Sequence, residues 1–221
     1  MSQLLEQLLD APDARLIIEQ VQEELQREAT QRQAFYDWIR EDQKAEFING
    51  EIILHSPVRR KHWKAVGMLN NLLHNYAIMN DLGEVATEKA MISLTRNDYE
   101  PDLCFWSKEK AAGFTDETML HTAPDFVVEV LSKGTAKKDR GIKFTDYAAH
   151  GIAEYWLVET TKKEIEQYVL GQSGEYELKG KFLSDSVIES LTVAGFRLPV
   201  SAIFDEKENL KALRKLLAAQ T

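Results

Sequence analysis

Apolar residues recur along this chain in two rhythms, one helical and one strand-like. The first third is helical. Ser2 can cap a short helix reaching Leu8, and Pro12, beside Asp13, opens a second. Its stripe is Leu16, Ile17, Val21 and Leu25 amid Glu and Gln, at helical spacing. Thr30 can cap a third helix carrying Phe35, Trp38 and Ile39. The stripe would face either the domain's own core or a second copy of the chain. The rhythm then shortens. Asn49-Gly50 between two apolar runs predicts a tight hairpin, because both central residues need positive φ. Ser56-Pro57 stops it. A long helix from about Arg59 to Met79 follows, with Val66, Leu69, Leu72, Leu73 and Ala77 on one face.

A strand pair, Gly83 to Ala86 and Ala90 to Leu94, is expected next. Then come a strand after Asp102, a loop with a short helix (Lys108 to Leu120), and the run Ala123 to Ser132. In that run Phe126, Val127, Val128, Val130 and Leu131 predict a strand buried on both faces, in the middle of an α/β sheet. Lys137 to His150 reads as one helix stopped by Gly151. Glu154 to Val158 reads as a strand, and Lys163 to Val169 with Tyr176 to Lys181 as a hairpin. Asp205 to Ala219 closes the chain as an amphipathic helix. This order predicts a mixed β-sheet flanked by helices, an α/β fold.

With 221 residues the chain suits one domain with some decoration. No window approaches the roughly 18 uninterrupted apolar residues of a spanning helix. The start lacks the basic residues of an export signal, and Cys104 is alone, so a reducing cytoplasm is expected. The net charge of −9 argues against broad, charge-driven binding of nucleic acid, but leaves room for a local basic face. No Gly-rich phosphate loop and no GxSxG elbow occur. The five histidines show no zinc-ligand spacing.

Two acids carry the chemistry. Glu129 sits among five large apolar residues, and a buried carboxylate must be paired or hold a metal. Asp102 stands at the mouth of a second apolar strand. On neighbouring strands the two can share a hard divalent cation, with the Val130 carbonyl available to complete the site. Singly, each also fits a structural role: Asp102 as a turn-former after Pro101, Glu129 as the partner of a buried Lys. Two basic clusters can hold phosphates. One is Arg59, Arg60, Lys61, His62 and Lys64 at a helix start; the other is Lys133, Lys137, Lys138, Arg140 and Lys143. Trp63 can stack on a base or pack in the core.

An ordered set of residues resembles a known family. It comprises Glu46 to Glu51, Ser56-Pro57, Pro101-Asp102, Pro124-Asp125 through Ser132, Asp139, Lys143, Tyr147, and Gly151 through Trp156. It is similar to the Uma2 family of endonucleases (DUF820), within the PD-(D/E)XK superfamily of restriction-endonuclease-like fold. The resemblance covers about residues 31 to 200, leaving 1–30 as a helical N-terminal extension before a nuclease domain at 31–221. It implies a DNA endonuclease using Mg²⁺ or Mn²⁺, with Asp102 and Glu129 as metal ligands. The superfamily's lysine position, two residues after the acid, holds Leu131. The resemblance points instead to Lys143 as the group that positions water, and to Glu46 as an assisting acid. A contrasting expectation keeps the fold without catalysis, as a homodimeric nucleic-acid-binding or regulatory module. Leu131 and the negative charge favour that alternative.

Overall fold

The computed structural model describes residues 3–218. It opens with α1 (Gln3–Leu9) and α2 (Ala14–Trp38), two helices where three were expected. Thr30 lies inside α2 and caps nothing. Its hydroxyl donates to the Gln26 carbonyl at 3.1 Å, the local bond that lets Thr persist in a helix. The expected division between residues 30 and 31 therefore falls within one helix. Ser2, the expected first cap, lies outside the described residues.

The C-terminal half of α2 is clamped to the body. Phe35 is fully buried and its ring lies 5.7 Å from that of Phe47. Arg32 grips buried Asp98 through two bonds of 2.6 Å, and Arg96 grips Glu28 the same way. Toward the N-terminus the same helical face continues as Leu25 and Val21, which are 46% and 50% exposed. The stripe overhangs the body and does not line its core.

β1 (Ala45–Ile48) and β2 (Glu51–Leu54) form the expected hairpin, with φ of +49° at Asn49 and +83° at Gly50. After α3 (Arg60–Met79) come β3 (Gly83–Thr87), β4 (Met91–Ser93) and β5 (Asp98–Tyr99). β3 and β4 are not the expected pair, for they belong to different sheets. Glu88 and Lys89 between them both take left-handed φ, +39° and +58°, and the chain passes from one sheet to the other there. β6 (Leu103–Ser107), α4 (Lys108–Ala111), β7 (Leu120–His121) and β8 (Phe126–Val130) follow.

The helix expected over Lys137 to His150 is two helices, α5 (Ala136–Asp139) and α6 (Ile142–Ala149). The break falls at Gly141, where a Cβ would meet the Lys137 carbonyl oxygen at 2.8 Å. Next come β9 (Glu154–Glu159), β10 (Glu164–Leu170), β11 (Tyr176–Leu183), the short pair β12 (Val187–Glu189) and β13 (Arg197–Pro199), and α7 (Glu206–Ala218).

The central sheet has the order β11-β10-β9-β8-β6-β3, and only β8 and β9 run parallel. A second sheet, β2-β1-β5-β4-β7, lies beside it. Strand alternation divides the interior. Leu103, Phe105, Phe126, Val128 and Val130 pack beneath α3 and α7. Cys104, Trp106, Val127 and Leu131 point the other way, toward α6 and the second sheet. Among the described residues no helix is long and apolar enough to cross a membrane.

Candidate active site at the ends of two strands

Val127 and Leu131 face the core under α6, so Glu129 between them does too. It is only 4% exposed, and it is not alone. From α6, Lys143 brings its Nζ to 2.8 Å from Glu129 Oε1 and 2.7 Å from Glu46 Oε1. Asp139 of α5 stands 3.8 Å from the same nitrogen. Tyr147, one turn past Lys143, donates to Glu129 Oε1 at 3.0 Å. Asp139 at the end of α5 and Lys143 in the first turn of α6 flank the break at Gly141, and both reach this cluster.

Lys143 carries one charge and faces three buried carboxyl groups. Burial raises Glu46's pKa, but Lys143 and His55 outweigh it and hold the group at about 2, fully ionised. Burial dominates at Glu129 and pushes it up to about 8, against the pull of Lys143. Asp139 is raised to about 6 for the same reason. Lys143 thus sits between a carboxylate held strongly ionised, Glu46, and one whose burial favours its protonated form, Glu129. Both bonds that Glu129 accepts land on Oε1.

Asp102 lies one residue before β6. Leu103 pairs with Val128, so the next step of the register sets Asp102 opposite Glu129. Its partners differ, however. Oδ2 accepts the Val130 N–H at 2.7 Å, and Oδ1 lies 3.1 Å from His62 Nε2 at the start of α3. Burial works against its ionised form, but the His62 and Val130 bonds prevail and its pKa is lowered. Val130 thus turns its N–H, not its carbonyl, toward the acid.

The structure brings Asp102, Glu129, Lys143 and Glu46 into one buried region at the ends of β6, β8 and β1. The expected basic residues divide. Arg59, Arg60 and Lys61 are exposed at the start of α3, one turn from the His62–Asp102 contact. Lys61 also donates to Thr161. Lys138 is half-buried beside Asp139, whereas Arg140 is drawn into an ion pair with Glu166. Trp63, for which core packing was one expectation, is 52% exposed, because it projects from the outer side of α3.

Two residues of the site, Asp139 and Glu88, were assigned no role from sequence, and a third, His62, was assigned a different one. Asp139 stands four residues before Lys143, a helical spacing that marks an ion-pair partner. His62, counted among the phosphate binders, and Glu88 join Asp102. A ring nitrogen of His62 and oxygens of Glu88 and Asp102 lie within 4.8 Å of one another. These two come from α3 and from the β3–β4 turn, and no linear spacing signals their meeting.

Residues 32–201 match the Uma2 family, described as "Putative restriction endonuclease". The chain is 28% identical over 168 residues to the "Uncharacterized protein slr1290" of Synechocystis, spanning 75% of this chain and 85% of that one. A solved structure from Anabaena variabilis, described as a "putative nuclease belonging to DUF820", superposes with a TM-score of 0.66 at 16% identity. The likeness covers 77% of this chain and 94% of that one, and at this identity it concerns the fold. The fold is accordingly the mixed-sheet, helix-flanked fold of restriction-endonuclease-like nucleases. With the family match spanning well over half of its length, the chain belongs to the Uma2 family.

Proposed function

We propose that this chain hydrolyses phosphodiester bonds of DNA with the help of Mg²⁺ or Mn²⁺ held by Asp102 and Glu129. The observation that carries this reading is the surplus of buried carboxyl groups at one strand end. Glu46, Glu129, Asp139 and Asp102 are each at most 6% exposed, and Asp139 Oδ1 is buried with no hydrogen bond, its ion-pair contact to Lys143 being 3.8 Å long. One ammonium leaves the set short of positive charge, and oxygen-rich acid pairs are what hard divalent cations take as ligands. When bound, such a cation lowers the pKa of a water and stabilises the leaving oxygen of a phosphodiester.

The chain's own groups supply the rest. Lys143, fixed by Glu46, places an ammonium at Glu129, where it can orient an attacking water and offset charge growing on phosphorus. This does from α6 what Leu131 cannot do from the strand. Arg59, Arg60 and Lys61 offer a local basic face beside Asp102, with Lys138 and Arg140 as further phosphate contacts despite the Glu166 pair. Exposed Trp63 next to them offers a face on which a base can stack. The test is cleavage of plasmid and single-stranded DNA with Mg²⁺ or Mn²⁺, compared with Asp102→Ala and Glu129→Ala. Loss of cleavage in both variants, and with chelator, is expected. Equal cleavage by all three proteins refutes the reading, and salt-sensitive binding without turnover assigns the chain to a binding module instead.

A further inference from the structure

We infer that the groove between α3 and α7 takes an unpaired nucleobase, so that the DNA bound at the start of α3 is single-stranded. The inference rests on the function proposed above and names its substrate class. The groove holds a cavity of about 290 Å³, lined from α3 by Trp63, Gly67, Met68 and Asn71 and from α7 by Glu206 and Asn209. That is near the lower end of small-ligand sites, roughly 300–1,000 Å³, and leaves room for one flat ring system.

Three positions on one side of α3, each a helical turn apart, suit a base. Trp63 is 52% exposed, an aromatic surface that the chain's own core leaves uncovered. At Gly67 a Cβ would meet nothing within 4 Å, so no tight contact calls for glycine there, although glycine weakens a helix interior. Its missing side chain leaves an open floor beside the indole. Asn71 offers partners for the edge of the ring. Asn209, 6% exposed, donates through Nδ2 to the Met68 and Ala202 carbonyls at 2.8 and 2.9 Å. Those two bonds fix its amide orientation, so its Oδ1 accepts from Asn71 Nδ2, at 2.8 Å. Among the described residues Asn71 Oδ1 then meets only the Asn75 amide, at 3.4 Å. That oxygen and the second N–H of Asn71 are left for the donors and acceptors of a base edge.

Charge places the backbone at the N-terminal side of the groove. Arg60 and Lys61 lie within one turn of Trp63, and Lys64 pairs with Glu206 at the groove's mouth. Lys64 and, more weakly, Arg60 hold Glu206 below the usual carboxylate range, so the acid at the rim is matched by cations. His62, the residue before Trp63, turns inward to Asp102 at 3.1 Å. One turn of α3 therefore meets the proposed metal ligand on one side and the groove on the other. Within a duplex both faces of a base are covered by its neighbours, so only an unpaired base can stack on Trp63.

The experiment follows the anisotropy of a short labelled oligodeoxynucleotide titrated with the full chain, in chelator so that nothing is cut. The single strand, its duplex and the same strand carrying abasic sites are compared. Wild type binds the single strand about tenfold or more tighter than the duplex or the abasic strand. Trp63→Ala, at an exposed position, weakens the single strand by about fivefold or more and leaves the duplex within about twofold. Gly67→Leu puts a side chain into the groove and has the same effect, while melting no lower than wild type because leucine is the better helix former. The inference is overturned if both variants bind the single strand as wild type does, or if the abasic strand binds as tightly as the intact one. Metal-dependent DNA cleavage alongside either of those results leaves the nuclease standing without this groove. Weakened single-strand binding in both variants, with no cleavage under any metal, upholds the groove and removes the nuclease.

Discussion

At the scale of single residues, one lysine shared by three carboxyl groups sets the chemistry of the site. Glu129 ordinarily ionises near 4.5 and is raised to about 8 by burial. Below 4.5 both folded and unfolded chains hold its proton. Between 4.5 and 8 only the folded chain does, so stability falls as pH rises through that window. Glu46, held at about 2, acts oppositely: its contribution is present above 4.5 and is lost as pH falls toward 2. Glu129→Gln keeps an oxygen for Lys143 and Tyr147 and removes the titration. Its melting temperature should exceed that of wild type at pH 8 and approach it near pH 4. A variant that melts with the wild-type pH profile would show that Glu129 is ionised in the fold. That Asp102 and Glu129 stand on neighbouring strands was legible from two acids at the mouths of apolar runs. The sharing of Lys143 between Glu46 and Glu129 was not, because it depends on a helix break that brings α6 over β8.

At the scale of elements, the clamp between α2 and β5 locks the N-terminal helix onto the second sheet. Arg32 spans it with a bidentate grip on Asp98, which is fully buried, and bonds to the Leu94 and Asn97 carbonyls. Arg32→Ala leaves Asp98 as an uncompensated buried charge, and denaturant unfolding should show a loss of about 3–5 kcal/mol. A loss below about 1 kcal/mol, the range of an exposed pair, would mean that the clamp carries little of the fold. The long periodic elements, α3, β8, β9 and the β10–β11 hairpin, were readable because burial imposes its period on many positions. β5, β7 and the β12–β13 pair span only two or three residues each, too few to display a period. Gly141 gave no warning of a break, since a lone Gly is tolerated in helices, and the close approach of the Lys137 carbonyl shows only once the local backbone is seen.

At the scale of the whole molecule, two surfaces remain to be covered: the overhanging face of α2 and the basic rim beside the acids. For the first we propose a second copy of the chain, because Val21 and Leu25 continue a face whose other half is already an interior contact. Light scattering should give a dimer for wild type and a monomer for Val21→Glu with Leu25→Glu, and an unchanged mass excludes this face. For the second, the account stands on an ion reaching Asp102. Crystals soaked in Mn²⁺ and measured at the manganese edge test that most directly. The account predicts an anomalous peak about 2.2 Å from an Asp102 carboxylate oxygen. A saturated soak that leaves Asp102 bonded only to His62 and Val130, with no peak beside it, would contradict it.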